Sequence, residues 1–161
     1  MSNIILDFNS QLIADRQSKL IKLLVFAVGK LTLALPILQV QKVIKQNPLH
    51  GSGLSHVNLA HLENIDIAIV DLHQKLFNTS LSELSQAQKY FIISKNITGE
   101  PLGILVLDPP ILVEVSAAQI RLIPNSYRNA DTLEIASHVT LFSQEDGTKK
   151  TIFILDLSRL I

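Results

Sequence analysis

The chain has 161 residues, with 14 Lys and Arg against 14 Asp and Glu, no cysteine and no tryptophan. Zero formal net charge gives no long-range attraction to nucleic acid or anionic membrane, and the lack of cysteine removes disulfide and thiolate chemistry and fits a reducing compartment. At this length one domain buries a self-sufficient core, and 47% hydrophobic against 17% charged residues fits either a compact β-rich interior or apolar surface that a partner covers.

Residues 1–19 mix polar and apolar positions, with Leu12 and Ile13 on one side, and read as an arm or a short amphipathic helix. No basic region precedes a long apolar run there, so the segment is not a secretory signal. The longest apolar run, Leu23 to Val28, falls far short of the roughly 20 residues that cross a bilayer, and a soluble cytoplasmic protein is the expectation. From Leu20 the pattern changes: Leu23, Val25 and Ala27 alternate with Leu24, Phe26 and Val28, Gly29-Lys30 turns, and Leu31, Leu33 and Leu35 follow, which makes a β-hairpin. Ile37, Val40 and Ile44 recur at i, i+3 and i+7 behind Pro36, the spacing of a helical turn.

Gln46 to Gly53 is rich in turn formers and reads as a loop. Val57 to Leu59 is a short strand and Ile65 to Leu72 a stronger one, followed by a polar stretch, His73 to Gln88, with spaced leucines and room for one helical turn. Tyr90 to Ser94 is a strand closed by Asn96 to Gly99. Leu102 to Leu107 is apolar on both faces until Asp108-Pro109-Pro110 stops it, and Ile111 to Val115 follows as another strand. Ser116 is placed as the N-cap of one helical turn reaching Ile120, and Pro124 ends the element. Asn125 to Asp131 reads as a loop, Ile135 to Phe142 as a strand, Ser143 to Thr148 as a hairpin turn with an Asp-Gly signal, and Thr151 to Leu157 as the last strand. Many short strands with few helices argue an all-β barrel or pair of barrels, and no internal repeat stands out.

Little here supports chemistry. His50, His56 and His61 lie near Glu63 and Asp66, but their spacing fits no helical or zinc-knuckle template. Gly51-Ser52-Gly53 is too short for a nucleophile elbow and sits in a plain loop. No glycine-rich loop follows a strand to hold a phosphate, and Lys149-Lys150 is a basic doublet without stacking aromatics, so nucleotide and nucleic-acid binding are unsupported.

Four motifs in order carry a resemblance. The run Gly103 to Pro124, with Ser116-Ala117-Ala118-Gln119-Ile120-Arg121, resembles the second half of a CheW-like domain, the adaptor module of bacterial chemotaxis signalling. Phe26, Gly29, Ala34-Leu35-Pro36-Ile37, Val40 and Val43 resemble its opening hairpin; Gly53, Asn58-Leu59, Ile65 to Val70 and Asp71-Leu72 its middle; Ile152 to Leu160 its close. Departures are Leu107 and Asp108 at the strand end, Ala118 for Glu, Lys42 for Glu, and Ala60-His61 for Arg-Gly with extra residues before Ile65.

The resemblance implies an all-β fold with minor α content, two small five-stranded SH3/OB-like β-barrels in one CheW-like domain over residues 20–161. It implies a non-enzymatic adaptor without cofactor, docking a CheA-like histidine kinase regulatory domain and a chemoreceptor-like helical tip in chemotaxis, or serving pilus or gliding motility. The partner-facing positions are then Val40, Lys42, Asn58, Leu59, Ala60 and Gly103. In the family the Glu and Arg positions help hold the partners, so at Lys42 one charge is reversed and at Ala60 one is removed. The alternative is a small β-barrel ligand-binding or regulatory protein with a different partner.

Overall fold

The computed structural model describes residues 8, 9, 12, 19–95, 98–128 and 134–161. The expected arm or helix over residues 1–19 therefore lies largely outside them, as do Asn96 and Ile97 of the expected turn and residues 129–133. Strands follow in the order β1 Leu20–Val28, β2 Leu31–Pro36, β3 Val40–Lys45, β4 Leu49–Gly51, β5 Val57–Leu62 and β6 Ile65–Val70. Two short helices, α1 Leu72–Phe77 and α2 Leu81–Leu84, lead to β7 Tyr90–Lys95, β8 Pro101–Val106, β9 Ile111–Ser116 and β10 Arg121–Leu122. A single helical turn, α3 Asn125–Arg128, precedes β11 Ala136–Ser143 and β12 Lys149–Leu155.

The described strands form two six-stranded sheets, a terminal one in the order β10-β11-β12-β2-β1-β9 and a central one in the order β3-β7-β8-β6-β5-β4. The all-β expectation holds, and each sheet gains one short strand beyond the expected five, β4 from a segment read as loop and β10 after the Ser116-capped turn. Ser116 caps that turn as expected, its hydroxyl accepting from Ala118 N–H at 3.3 Å. Two expectations are corrected. Beyond a 3-10 turn at Ile37–Gln39, the segment after Pro36 is strand β3, and α3 occupies part of the expected loop after Pro124.

Both sheets use one strand order, and the terminal sheet is a circular permutation of the central one. Reading β9, β10, β11, β12, β1 and β2 in place of β3 to β8 reproduces every neighbour, including one parallel pair in each sheet, β12 with β2 and β6 with β8. The register agrees across the parallel seam: Ile154 lies beside Ala34 and Ala34 beside Val25, as Ile69 lies beside Gly103 and Gly103 beside Ile93. A repeat is thus present in topology. In sequence it survives chiefly as Ile69-Val70-Asp71-Leu72 and Ile154-Leu155-Asp156-Leu157.

Three apolar clusters explain the strands that are apolar on both faces. Leu23, Val25, Ala34, Val113 and Ile154 fill the terminal sheet, and Ala60, Ile69, Phe91, Ile93 and Leu105 fill the central sheet. Leu24, Phe26, Leu35, Val70, Ile92 and Ile104 form a third core that both sheets share. Alternate side chains of β1, β7 and β8 therefore enter different cores, and a strand with two buried faces loses the apolar-polar alternation. Ile44 on β3 and Leu49 on β4 both pack on the central cluster, so the two ends of that sheet curl toward each other. Phe8 and Leu12 cap the terminal cluster as Leu81 of α2 caps the central one.

Candidate partner-docking site

The site begins with an irregularity. Val40 pairs with Ser94 and Lys42 with Ile93, so Gln41 is a bulged residue with no partner in β7. One extra residue inverts the alternation beyond it. Val40 and Val43 now share the side of the sheet that faces the common core, while Lys42 and Ile44 share the side that faces the central cluster. Val40 is half-buried against the common core, Val43 is 38% exposed and Leu38 in the preceding turn is 77% exposed. Val40 and Val43 make an apolar strip along β3, the outermost strand at its end of the sheet, and the exposed Leu38 lies in the turn that leads into it.

Lys42 turns the other way and pairs with Glu63 through Nζ and Oε1. Glu63 and Asn64 both hold positive φ, 49° and 69°, as the two central residues of a tight hairpin turn between Leu62 and Ile65. The pair thus ties strand β3 to the β5–β6 tip. The Lys42 hydrogen bond, and then its charge, lower the Glu63 carboxyl pKa. Beside it His61 Nδ1 and Asp66 Oδ1 lie 3.0 Å apart, on residues directly opposite in the hairpin. The Lys42–Glu63 ion pair and the His61–Asp66 hydrogen bond are both solvent-exposed and tie these groups to one another within the chain.

The expected partner-facing residues do not form one patch. Val40 and Lys42 lie on β3 with opposite orientations, and Asn58 and Leu59 are half-buried on β5. Ala60 is fully enclosed in the central cluster. Gly103 is buried between β7 and β6, and a Cβ there would stand 2.3 Å from Ile69 Cδ1, so a side chain enters only if Ile69 shifts. Ala60 and Gly103 can shape the site only through packing. Two residues of this region lie outside the expected set: Val43, because the bulge at Gln41 is invisible in the pattern, and Glu63, because its partner is 21 residues away. Among the described residues no group of three His, Asp or Glu side chains converges to hold a metal ion. None of the helices in them is long and apolar enough to cross a membrane.

Residues 22–161 match the CheW-like domain family, whose members are non-enzymatic scaffolds. Among solved structures the fold is similar to the scaffolding protein TtCheW from Thermoanaerobacter tengcongensis, with a TM-score of 0.69 at 16% identity over 88% of this chain and 87% of that one. No curated sequence matches. The family match spans the opening hairpin, both sheets and the closing Asp-Leu turn, and the chain belongs to the CheW-like domain family.

Proposed function

We propose that this protein is a cytoplasmic adaptor that couples a CheA-like histidine kinase to a chemoreceptor-like helical tip, in chemotaxis or in a pilus or gliding motility pathway. A chemotaxis-type scaffold role is what the family supports, and the apolar strip on β3 is the observation that carries the docking reading. Val40 and Val43 stand on an outer strand, with Leu38 in the turn before it, of a body whose interior is filled from three clusters, so the strip costs no folding when a partner covers it. Such an adaptor acts by population shift: holding kinase and receptor in one geometry changes the active fraction of the kinase without chemistry in the adaptor.

Lys42 refines the partner reading. A partner built to meet a carboxylate at this position would face an inverted charge, a mismatch of roughly 2–5 kcal/mol if the contact were buried. Here Glu63 answers the Lys42 charge within the chain, so the partner can dock on the neighbouring apolar strip without supplying a counter-ion. The test is pull-down with the regulatory domain of the kinase that co-purifies with this protein. Val43→Glu, at a position already partly solvated, should abolish capture and leave the circular dichroism spectrum native, and Val40→Glu should do the same for binding. Retained capture by a folded Val43→Glu variant would remove β3 from the interface.

A further inference from the structure

On the outer face of β10, β11 and β12 lies a half-open hollow of about 430 Å³, with no β3 residue in its lining. Arg121 stands opposite Val139, and Ser143 opposite Lys149, so these side chains share the face on which Leu141 projects. The alternate residues, His138, Thr140, Ile152 and Ile154, turn inward and are buried. Val139 and Leu141 therefore make an apolar floor, with Leu141 51% exposed, and Arg121 and Lys149 place a cation at each end. No acidic side chain lines the hollow, and neither cation makes an ion pair among the described residues.

The strand repeat gives this face a counterpart. Through the matching registers Val139 is equivalent to Leu59, Leu141 to His61 and Arg121 to His50. On the central sheet the carboxylate of that face, Asp66, is held locally by a hydrogen bond with His61 directly opposite. On the terminal sheet two cations make no ion pair among the described residues and flank exposed apolar surface.

We propose that this face binds a segment of another protein in which an apolar side chain is flanked by carboxylates. The apolar residue covers Val139 and Leu141 while the carboxylates reach Arg121 and Lys149. A small molecule is the poorer occupant, because ligand pockets enclose about 70–90% of a ligand's surface and this hollow is half-open. A second copy of the chain is also poorer through its equivalent face, where the one carboxylate, Asp66, is already hydrogen-bonded to His61. The inference stands apart from the kinase and receptor reading and uses none of the residues of the β3 strip.

The test is an NMR titration of the ¹⁵N-labelled full chain with a capped peptide, Ser-Glu-Leu-Glu-Ile-Glu-Ser, and with its analogue carrying Gln for every Glu. Exposed cations attract weakly, so saturation is expected at roughly 0.1–1 mM with amide shifts confined to Arg121, residues 139–143 and Lys149. The Gln peptide should bind about tenfold more weakly, and raising salt to about 0.5 M should weaken the acidic peptide similarly. The paired substitution Arg121→Gln with Lys149→Gln should abolish the preference for the acidic peptide while leaving the remaining spectrum in place. Equal binding of both peptides, shifts on other faces, or an unchanged preference in the paired variant would overturn the proposal. So would the same shifts produced by octanoate alone, or by concentrating the protein without peptide, which would assign the face to a small carboxylate or to self-association.

Discussion

The terminal and central sheets share strand order and register, yet they solve the same geometry with different residues. Leu23 in the terminal sheet is equivalent to Phe91 in the central one, Ala34 to Gly103, Ile135 to His56, and Asp156 to Asp71. The connection after the fourth strand differs most. In the central sheet β6 continues through α1 and α2 into β7, whereas after β12 a 3-10 turn at Leu157–Arg159 leads to the last residue of the sequence. The terminal sheet takes its fifth and sixth strands, β1 and β2, from the other end of the chain. Topology therefore constrains which positions are buried and paired, while the choice of side chain at each leaves every sheet its own surface.

The sharpest way to break the comparison is to hollow out one core and watch the other. Phe91 and Leu23 are fully buried in separate clusters, but both sheets also build the common core around Leu24, Leu35, Val70, Ile92 and Ile104. Phe91→Ala should cost about 3–5 kcal/mol and Leu23→Ala about 2–5 kcal/mol. Each should lower one cooperative urea transition, because neither sheet can release its side of the common core alone. Coincident transitions by far-UV circular dichroism and by tyrosine fluorescence would show this; a split into two steps would mean that the sheets unfold independently.

The capping aspartates come next. Asp71 is 3% exposed and its carboxylate accepts from Gln74 N–H at 3.0 Å and Leu81 N–H at 2.9 Å, so one buried group holds the starts of both α1 and α2. Asp156 accepts from Ser158 N–H at 3.1 Å and lies 3.6 Å from Arg159 Nε, within a single turn. Asp71→Ala strands one buried and one part-buried amide and should cost about 3 kcal/mol, against about 1 kcal/mol for Asp156→Ala. Equal losses in urea midpoint would show that the longer connection adds nothing to the role of its cap.

Smaller again is the exchange at the parallel seam. Gly103→Ala drives a methyl into Ile69 Cδ1 and brings it to 3.2 Å from Ile93 Cδ1, which predicts a loss of about 1–3 kcal/mol through repacking. Its mirror, Ala34→Gly, removes a buried methyl and loosens a strand, for about 1 kcal/mol. If Gly103→Ala proves neutral by thermal melting, Ile69 has another rotamer available and the seam is less tightly packed than its geometry implies.

Legibility in the sequence followed the same division. The hairpin β1–β2 and strand β8 were plain because runs such as Leu23 to Val28 and Ile104 to Val106 have little reading other than strand once Gly29-Lys30 or Asp108-Pro109-Pro110 bounds them. Strand β3 was not, because Val40 and Ile44 are four apart, a spacing that satisfies a helical face and a strand face alike, and the bulge at Gln41 spoils the alternation that would have decided it. The repeat stayed hidden because the chain is cut at different points of the two sheets and because Leu, Ile, Val and Phe substitute for one another in buried strands. At the site the motif puts Val40 on a half-buried position of the outer strand, whereas Ala60 and Gly103 are enclosed and act through packing. The pairing of Lys42 with Glu63 depends on the sheet curling, which local pattern does not encode.

The mildest difference is a matter of pH. His56 and Ile135 are equivalent: each carbonyl accepts the amide of the following cap, Asp71 N–H and Asp156 N–H, both at 2.8 Å. Burial, and secondarily the charge of Lys75, hold the His56 pKa below its ordinary 6.5, and its Nε2 is enclosed without a partner. The unfolded chain therefore takes up this proton first, so the neutral imidazole contributes stability above pH 6.5 that is lost as pH falls from there through the lower folded value. His56→Ile places the terminal sheet's residue in the central sheet while keeping the carbonyl that the cap requires. Between about pH 7.5 and pH 5 its urea midpoint should fall less steeply than that of the wild type, with the difference confined to the region below the ordinary histidine pKa. Parallel slopes would clear His56 as the source and move the acid sensitivity to the other histidines or the exposed carboxylates.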